Sequence, residues 1–151
     1  MKIMLDKGAI LPTRAHETDA GLDLYTPVDV YVPKTKDRDE DGWPIDGVNI
    51  GSATIDTGVH VEIPKGYVGF VKSKSGLNVK HGLTAEGVID SGYTGSIVVK
   101  LYNHKSLEYR FKAGDKIAQL VLLPIITPEL EQVDSLEETE RGSNGFGSSG
   151  K

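Results

Sequence analysis

The stretch that decides the fold is EGVIDSGYTGSIVVKLYN, from Glu86 to Asn103. Two apolar runs rich in β-branched residues flank a short segment in which Ser91 precedes Gly92. Short β-branched runs on both sides of a Ser-Gly turn signal are typical of a β-hairpin. This stretch therefore predicts two antiparallel strands joined by a tight turn.

The same pattern repeats along the chain, where 18 glycines separate short apolar runs with turn signals. The run VHVEI, residues 59–63, alternates strictly between apolar and polar residues, as a half-buried strand does. The runs SIVVKL (96–101) and LVLLPII (120–126) are nearly continuous, which predicts strands covered on both faces. Because helical periodicity is nearly absent, we predict a small antiparallel barrel or sandwich with at most a short helix near residues 75–80.

Composition narrows the class of protein. The chain has 151 residues, 38% of them hydrophobic, which is enough for one domain with a real core. No stretch approaches the roughly 20 apolar residues of a membrane span, and the first residues do not form a secretory signal. The absence of cysteine excludes disulfides and thiolate–zinc sites and fits a reducing cytoplasm. A net charge of −5 gives no general attraction for nucleic acid, so any phosphate must be held by a few placed groups or a metal.

One segment differs from the rest, KTKDRDEDGWPIDG at residues 34–47. It is highly charged and lies between two strand-like runs, so we predict an exposed hairpin loop. Asp37, Asp39 and Asp41 match the opening of a calcium-binding loop. The twelfth position is Val48 instead of a bidentate glutamate, and no helices flank the segment. At most a weak calcium site is expected.

Asp90 is the first candidate for chemistry. It follows Val88 and Ile89 and begins the turn that Gly92 makes possible. A carboxylate beside an apolar strand and backed by a tight hairpin is predicted to be partly desolvated, as a general base for water should be. The alternative is an aspartate that caps its own turn. Tyr93, three residues later, either contacts a ligand with its ring or closes the core of the hairpin.

Three further stretches carry polar groups. KSKSGL, residues 72–77, offers ammonium charges, hydroxyl donors and an approachable backbone, which a polyphosphate needs, although a solvated basic turn looks the same. Gln119 lies in an otherwise apolar strand, where an amide is costly unless it is paired. Asp19 and Asp23 lie on either side of Gly21, which indicates either turn chemistry or the oxygen environment of a hydrated Mg²⁺.

The chain ends in RGSNGFGSSGK, residues 141–151. This stretch contains a GxGxxG match, but a dinucleotide-binding turn needs a strand before it and a helix after it. Its glycines instead allow the backbone to close over a ligand.

Five stretches occur in a fixed order: AGLDLY, KSGL, GVIDSGYTG, GDKIAQLV and RGSNGFGSSG. Together they resemble motifs one to five of the homotrimeric deoxyuridine triphosphate nucleotidohydrolases, the dUTPases, from about residue 10 to the C-terminus. The resemblance implies an all-β, distorted jelly-roll barrel that forms trimers, with each active site built from more than one subunit. It also implies Mg²⁺-dependent hydrolysis of dUTP to dUMP and pyrophosphate. We expect a barrel at residues 1–140 and a flexible glycine-rich lid at residues 141–151.

The resemblance also implies roles for individual residues. Asp90 activates the water that attacks the α-phosphorus, and Tyr93 packs on the deoxyribose and excludes a 2′-hydroxyl. The hairpin from about Thr84 to Val98 clamps uracil, mainly through backbone groups. Mg²⁺ is held chiefly by the triphosphate and water, with Asp23 in its outer environment. The other implied substrate-binding positions are Lys74, Ser75, Gly76, Gly87, Val88, Ile89, Gln119, Arg141, Phe146, Gly147, Ser148 and Ser149.

The chain departs from the family pattern at three of these positions. Lys74 stands where arginine is usual, which keeps the charge but loses the bidentate fork. Ser149 replaces a common threonine. Thr84 stands where some members carry an asparagine that reads uracil, so that side-chain contact is in doubt.

Two rival interpretations remain at this point. The dCTP deaminases share the fold and the signature around Asp90, but they place a catalytic glutamate where this chain has Lys100, which cannot serve as that carboxylate. A non-catalytic jelly-roll module that binds nucleotide or a partner is the second, and the retention of Asp90, Tyr93 and Gln119 argues against it. An additional protein partner is not indicated, and the acidic loop at residues 34–47 is where it would bind.

Overall fold

The computed structural model describes residues 1–144. Phe146, Gly147, Ser148 and Ser149 lie outside the described residues. The described part of the chain forms β1 (Ile3–Leu5), β2 (Gly21–Tyr25), β3 (Val30–Val32), β4 (Lys36–Arg38), β5 (Pro44–Asn49), β6 (Gly51–Asp56), β7 (Val59–Val61), β8 (Tyr67–Lys72), α1 (Ser75–His81), β9 (Leu83–Ile89), β10 (Val98–Asn103), β11 (Tyr109–Phe111) and β12 (Lys116–Pro124).

A six-stranded antiparallel sheet organises the fold, in the order β2–β12–β8–β9–β10–β6. Three two-stranded ribbons accompany it, namely β1–β7, β3–β11 and β4–β5. Leu24 of β2 and Ile55 of β6 lie at opposite edges of the large sheet, yet both belong to one buried apolar cluster. The sheet therefore curls around its own core, and the predicted all-β barrel is confirmed.

Strict alternation at residues 59–63 is confirmed. Val59, Val61 and Ile63 are buried, whereas His60 and Glu62 point away from the core. Successive residues of a strand face opposite sides, so this segment presents one apolar face to the barrel interior.

The two nearly continuous apolar runs are not covered on both faces, contrary to the prediction. In β10, Val99 and Leu101 are buried but Val98 is 47% exposed. After the buried Leu120 of β12, Leu123 is 47% exposed and Ile126 is 89% exposed. One face of each run packs into the barrel, and the described part of the chain supplies no second layer over the other face.

The short helix near residues 75–80 is confirmed as α1. Lys74 precedes it in an extended conformation, and Gly82 ends it with a φ of 65°, in the left-handed region that favours glycine. The amide of Gly82 donates to the carbonyls of Asn78 and Leu77, which closes the last turn. No helix within residues 1–144 has the length and apolar character needed to cross a bilayer.

The acidic segment forms the exposed hairpin that the sequence predicts, with β4 paired to β5. At its tip the Asp39 carboxylate accepts hydrogen bonds from the amides of Asp41 (3.0 Å) and Trp43 (2.8 Å). Trp43 itself is 71% exposed. Within residues 1–144 no three acidic or histidine side chains converge on a common point, so the calcium-loop pattern has no structural counterpart. Its central aspartate stabilises the turn instead.

Candidate active site

The strands β9 and β10 form a hairpin that is paired only at its base. Leu83–Ala85 pairs with Leu101–Asn103, and beyond these residues the strands diverge. Gly87 pairs with Val71 of β8, while Val98 pairs with Asp56 of β6. The edges of β9 and β10 that face each other above the base therefore have no partner strand in the described chain. They leave a slot lined by backbone donors and acceptors.

Asp90 lies at the mouth of this slot, directly after β9. Its backbone carbonyl accepts a hydrogen bond from the Tyr93 amide (3.1 Å), and Gly92 follows with a φ of 92°. The turn is therefore closed by the backbone of Asp90, and the turn-capping alternative for its carboxylate is wrong. The residue is exposed, and its carboxylate has no hydrogen-bond partner within residues 1–144. The predicted partial desolvation is also wrong for a single chain, because β9 ends here and nothing in the described chain covers the mouth.

The Tyr93 ring lies across the turn and is held at its hydroxyl end. Its hydroxyl donates to the carbonyl of Ser96 (3.0 Å). A β-carbon on Gly95 would lie 2.5 Å from Cζ and 3.0 Å from Cε2 of this ring, so glycine is required for the ring to take this position. The residue remains 45% exposed. The ring thus has a fixed orientation and a face that is open to a ligand.

A second polar group surrounds Asp23, which is 5% exposed. The Lys116 ammonium donates to one carboxylate oxygen at 2.6 Å, and the Lys74 ammonium donates to the other. Burial raises the pKa of Asp23, but the hydrogen bonds from Lys116 and Lys74 outweigh it and hold the pKa below its ordinary value. Asp23 is therefore an ionised carboxylate between two lysines.

Lys116 was not among the predicted site residues. The signal in the sequence was weak, since Lys116 is separated from Asp23 by about 90 residues and only the pairing of β12 with β2 brings them together. A buried acid on one strand requires a cation from a neighbouring strand, and that requirement becomes visible only once the pairing is known.

Gln119 is paired, as an amide in an apolar strand must be. Its Nε2 donates to the carbonyl of Ser73 (3.0 Å). Its side chain also occupies the space above Gly21, where a β-carbon would lie 2.9 Å from the amide carbon. Ser73 is held from the other side as well, since its hydroxyl accepts from the Ala85 amide (2.8 Å) and donates to the Ala85 carbonyl (3.1 Å). Gln119 thereby fixes the segment that leads into α1.

Ser75 and Gly76 begin α1 and are exposed. The first amides of a helix have no partner within the helix, and the preceding Lys74 supplies no side-chain cap. These amides therefore follow directly on Lys74, which pairs with Asp23, an arrangement suited to phosphate oxygens.

Two predicted positions are engaged elsewhere. The Thr84 hydroxyl lies 2.7 Å from Nε2 of His104, and Thr84 pairs with Tyr102 at the closed base of the hairpin. A side-chain contact from Thr84 to a base in the slot therefore gains no support. Arg141 donates from Nε to the carbonyl of Asn144 (3.1 Å), within its own turn.

One chain does not bring the two polar groups together. Ile89, next to Asp90, pairs with Gly69, whereas Glu86 pairs with Lys72, which leads to Lys74. Three residues of β-strand span about 10 Å, so the two groups lie toward opposite ends of the paired part of β8 and β9.

The buried Asp23 gives a testable pH dependence of stability. We expect Asp23→Asn to lower the free energy of unfolding by about 2 kcal/mol at neutral pH, because both lysines lose their counterion while staying partly solvated. The folded pKa is lowered, so the stabilisation is complete above the unfolded-state value of about 3.9 and is lost as the pH falls through the folded value. Urea unfolding followed by circular dichroism should give a constant difference at pH 6–8 that shrinks below about pH 4. A difference that does not shrink at all between pH 6 and pH 3 would contradict this interpretation.

Comparisons with known proteins agree with this geometry. The family model dUTPase matches residues 48–150. The deoxyuridine 5'-triphosphate nucleotidohydrolase of Clostridium novyi is 39% identical over 156 residues, covering 99% of this chain and 99% of that protein. The enzyme of the same name from Solanum lycopersicum is 38% identical over 147 residues, covering 97% of this chain and 78% of that protein.

Solved structures give the same result. The dUTPase of Staphylococcus bacteriophage 80alpha with dUpNHpp superposes with a TM-score of 0.82 at 34% identity, covering 99% of this chain and 98% of that chain. A dUTPase variant from phage phi11 of S. aureus, in which a structural Mg(II) ion is coordinated, superposes with a TM-score of 0.73 at 31% identity, covering 91% and 98%.

Proposed function

The chain belongs to the dUTPase family, and on that premise we propose that it hydrolyses dUTP to dUMP and pyrophosphate. The observation that carries the proposal is the splayed hairpin, with an exposed carboxylate at its mouth and a fixed aromatic ring beside it. The slot can take a flat nucleobase, the Tyr93 ring offers a surface for the sugar, and the Asp90 carboxylate can accept a proton from water.

The slot favours uracil through its backbone. Above the hairpin base, Gly87–Ile89 pairs with β8 and Val98 pairs with β6, so the peptide groups on the edges that face each other have no partner strand in the described chain. Peptide donors and acceptors that match the edge of uracil would meet the reversed pattern of cytosine at its exocyclic amine. Tyr93 then packs on the deoxyribose, where its fixed ring leaves no room for a 2′-hydroxyl.

Asp90 acts as the general base. Its carboxylate is exposed and free of protein partners within residues 1–144, so it can accept a proton from the water that attacks the α-phosphorus. Phosphoryl chemistry of this kind asks for positioning and charge neutralisation more than for covalent participation. The amides of Ser75 and Gly76 and the ammonium of Lys74 supply part of that neutralisation, and Gln119 keeps this segment in place.

Mg²⁺ fits this arrangement as an ion bound through the substrate. Asp23 already accepts hydrogen bonds from two lysines, and within residues 1–144 no other acidic cluster offers a coordination shell. When bound, the ion supplies further neutralisation of the triphosphate. Asp23 can contact its water shell only if one lysine moves to the phosphates, and Lys74 adjoins the α1 amides where they would bind.

The active form is a homotrimer. The family resemblance implies this assembly, and apolar side chains after β12 are exposed in the single chain. Ile126, Leu130 and Leu136 follow β12 without regular structure and are 89%, 97% and 87% exposed. Such exposure is costly in a monomer and is relieved when chains associate.

Residues 141–151 form a lid over the triphosphate, appended to a barrel at residues 1–140. Arg141 reaches the terminal phosphate, Phe146 stacks on uracil, and Gly147, Ser148 and Ser149 contact the phosphates. Closure of such a segment excludes bulk water and completes the site.

The cysteine-free composition supports a cytoplasmic location.

Deamination of dCTP is the weaker alternative. Its catalytic glutamate would occupy the position of Lys100, whose ammonium lies 5.2 Å from the centre of the Tyr102 ring.

The decisive experiment offers Mg²⁺ with dUTP, dCTP, dTTP or UTP and measures pyrophosphate and deamination. Pyrophosphate from dUTP alone supports the proposal. Conversion of dCTP, or binding of dUTP without turnover, would overturn it.

The sugar discrimination should depend on Gly95. We expect Gly95→Ala to push the Tyr93 ring from its position and raise kcat/KM for UTP relative to dUTP about tenfold, since a pocket contact of this size is worth one to two orders of magnitude. Thr94→Ala is the matched control, because it alters a side chain in the same turn and keeps the backbone. An unchanged ratio in Gly95→Ala would show that the ring position does not select the sugar.

The lid should be dispensable for folding but not for catalysis. A chain that ends at Glu140 should keep its melting temperature and circular dichroism spectrum while kcat/KM for dUTP falls at least roughly tenfold. A truncated chain with full activity would exclude residues 141–151 from the mechanism.

A further inference from the structure

The turn that carries Asp90 and Tyr93 is hydrogen-bonded to a segment of the chain that has no role in the proposed function. The Ile97 amide donates to the Val59 carbonyl (2.8 Å), and the Thr57 hydroxyl donates to the Ile97 carbonyl (2.7 Å). The Ser96 hydroxyl donates to the Asp56 carboxylate. The strand ends around β6 and β7 thus fix the second half of the turn.

His60 provides the remaining anchor. Its Nδ1 lies 2.8 Å from the carbonyl oxygen of Thr94, the residue between Tyr93 and Gly95. Its Nε2 lies 3.2 Å from a carboxylate oxygen of Asp6. The imidazole side chain is 18% exposed. One ring therefore joins the sugar-facing turn to the segment that follows β1.

Both ring nitrogens face groups that only accept. A carbonyl oxygen cannot donate, and neither can an ionised carboxylate. A neutral imidazole has one N–H, so it would satisfy one contact and place a lone pair against the other. The imidazolium, with two N–H groups, satisfies both.

The charges around His60 favour the same state. Asp6 faces the ring from the segment after β1, and Asp56 faces it from the end of β6, where it accepts from Ser96 and from the Gly58 amide (3.0 Å). Lys2, just before β1, and Glu62, just after β7, pair with each other at 2.9 Å. The hydrogen bond to the Thr94 carbonyl, followed by that to Asp6, raises the pKa of His60 above its ordinary value.

We propose that His60 is a positioning residue for sugar discrimination: as an imidazolium it bridges Thr94 to Asp6 and holds the turn so that the Tyr93 ring excludes a 2′-hydroxyl. The inference rests on the proposed function, since the consequence is read out in substrate choice. The bridge is complete below the raised pKa of His60 and is lost as the pH rises through it.

The test is the ratio of kcat/KM for dUTP to kcat/KM for UTP, measured from pH 6 to 9. Both substrates carry the same base and triphosphate and use the same Asp90. The effects of protonating these shared groups therefore cancel in the ratio. We expect the ratio to fall about fivefold as the pH passes through the pKa of His60, the loss that follows from one charge-assisted hydrogen bond. A ratio that does not change with pH would overturn the proposal.

Three variants sharpen the test. An asparagine at position 6 can donate to the unprotonated Nε2, so Asp6→Asn should hold the ratio flat at the low-pH level of the unmodified protein. His60→Ala should give the lower ratio at every pH. Glu62→Gln removes a carboxylate from the same ribbon without touching His60 and should follow the unmodified protein. An Asp6→Asn profile identical to that of Glu62→Gln would overturn the proposal.

Nuclear magnetic resonance separates this inference from the proposed function. The ring nitrogens of His60 and the amides of Tyr93 and Gly95 should titrate together in the absence of any substrate, with a midpoint above about 6.5. A shared midpoint supports the bridge even if dUTP is not hydrolysed. A His60 midpoint at or below 6.5, or turn amides that do not follow it, would overturn the bridge even if dUTP is hydrolysed.

Discussion

Asp90→Asn should lower kcat for dUTP by about three orders of magnitude, the size of effect expected when a general base is lost. Asparagine keeps the shape of the side chain but cannot accept the proton of the attacking water. The carboxylate makes no hydrogen bond within residues 1–144, so the fold loses no contact when its charge is removed. We therefore expect an unchanged melting temperature and nearly unchanged affinity for dUpNHpp, measured by calorimetry.

The matched control is Asp46→Asn, which neutralises an exposed carboxylate on β5, far along the chain from the slot. It should leave kcat unchanged. If Asp90→Asn retains turnover within tenfold of the unmodified protein, another group accepts the proton and Asp90 is misassigned. If affinity for dUpNHpp falls as steeply as kcat, the carboxylate binds substrate and does not act as the base.

Mixing two inactive chains should restore activity. Lys74→Ala removes a cation beside the α1 amides, and Lys116 remains to pair with Asp23, so the barrel should still fold. If each site is built from more than one subunit, as the family resemblance implies, a working site takes Asp90 and Lys74 from different copies. After joint refolding of equal amounts of Asp90→Asn and Lys74→Ala chains, we expect about one quarter of the unmodified rate, since each site draws two positions at random.

The control is a chain that carries both substitutions, refolded with the Asp90→Asn chain. No site in that mixture can contain an intact Asp90, so no activity should return. The same absence of activity in the main experiment would contradict a shared site. If each site were built within one chain, every site in the mixture would lack either Asp90 or Lys74. Analytical ultracentrifugation of each mixture confirms that the chains have assembled.

Local periodicity was enough to predict the strands but not their surroundings. The alternation of Val59, His60 and Val61 determines which face is buried, and the structure follows it. The outer faces of β10 and β12 were assigned wrongly because coverage depends on a second layer. A run such as LVLLPII indicates that its residues avoid water, and a contact between chains satisfies that as well as a contact within one.

The site was predictable where chemistry is carried by the turn itself and not where it depends on distant pairing. Asp90 and Tyr93 lie within one turn, so their closeness in space follows from their closeness in sequence. Lys74 was expected to contact phosphate alone, whereas the structure pairs it with Asp23 across 51 residues. The engagement of Thr84 by His104 is likewise invisible until β9 and β10 are aligned.

Trp43 is the single tryptophan of the chain, and it lies at the tip of the β4–β5 hairpin with 71% of its surface exposed. Its indole is already surrounded by water in the folded protein, so its fluorescence should change little when the barrel melts. Tryptophan emission would then report on the hairpin and on anything that covers it, and not on the core. Quenching or a blue shift at this one residue would mark the arrival of a second molecule at the hairpin, independently of catalysis at the slot.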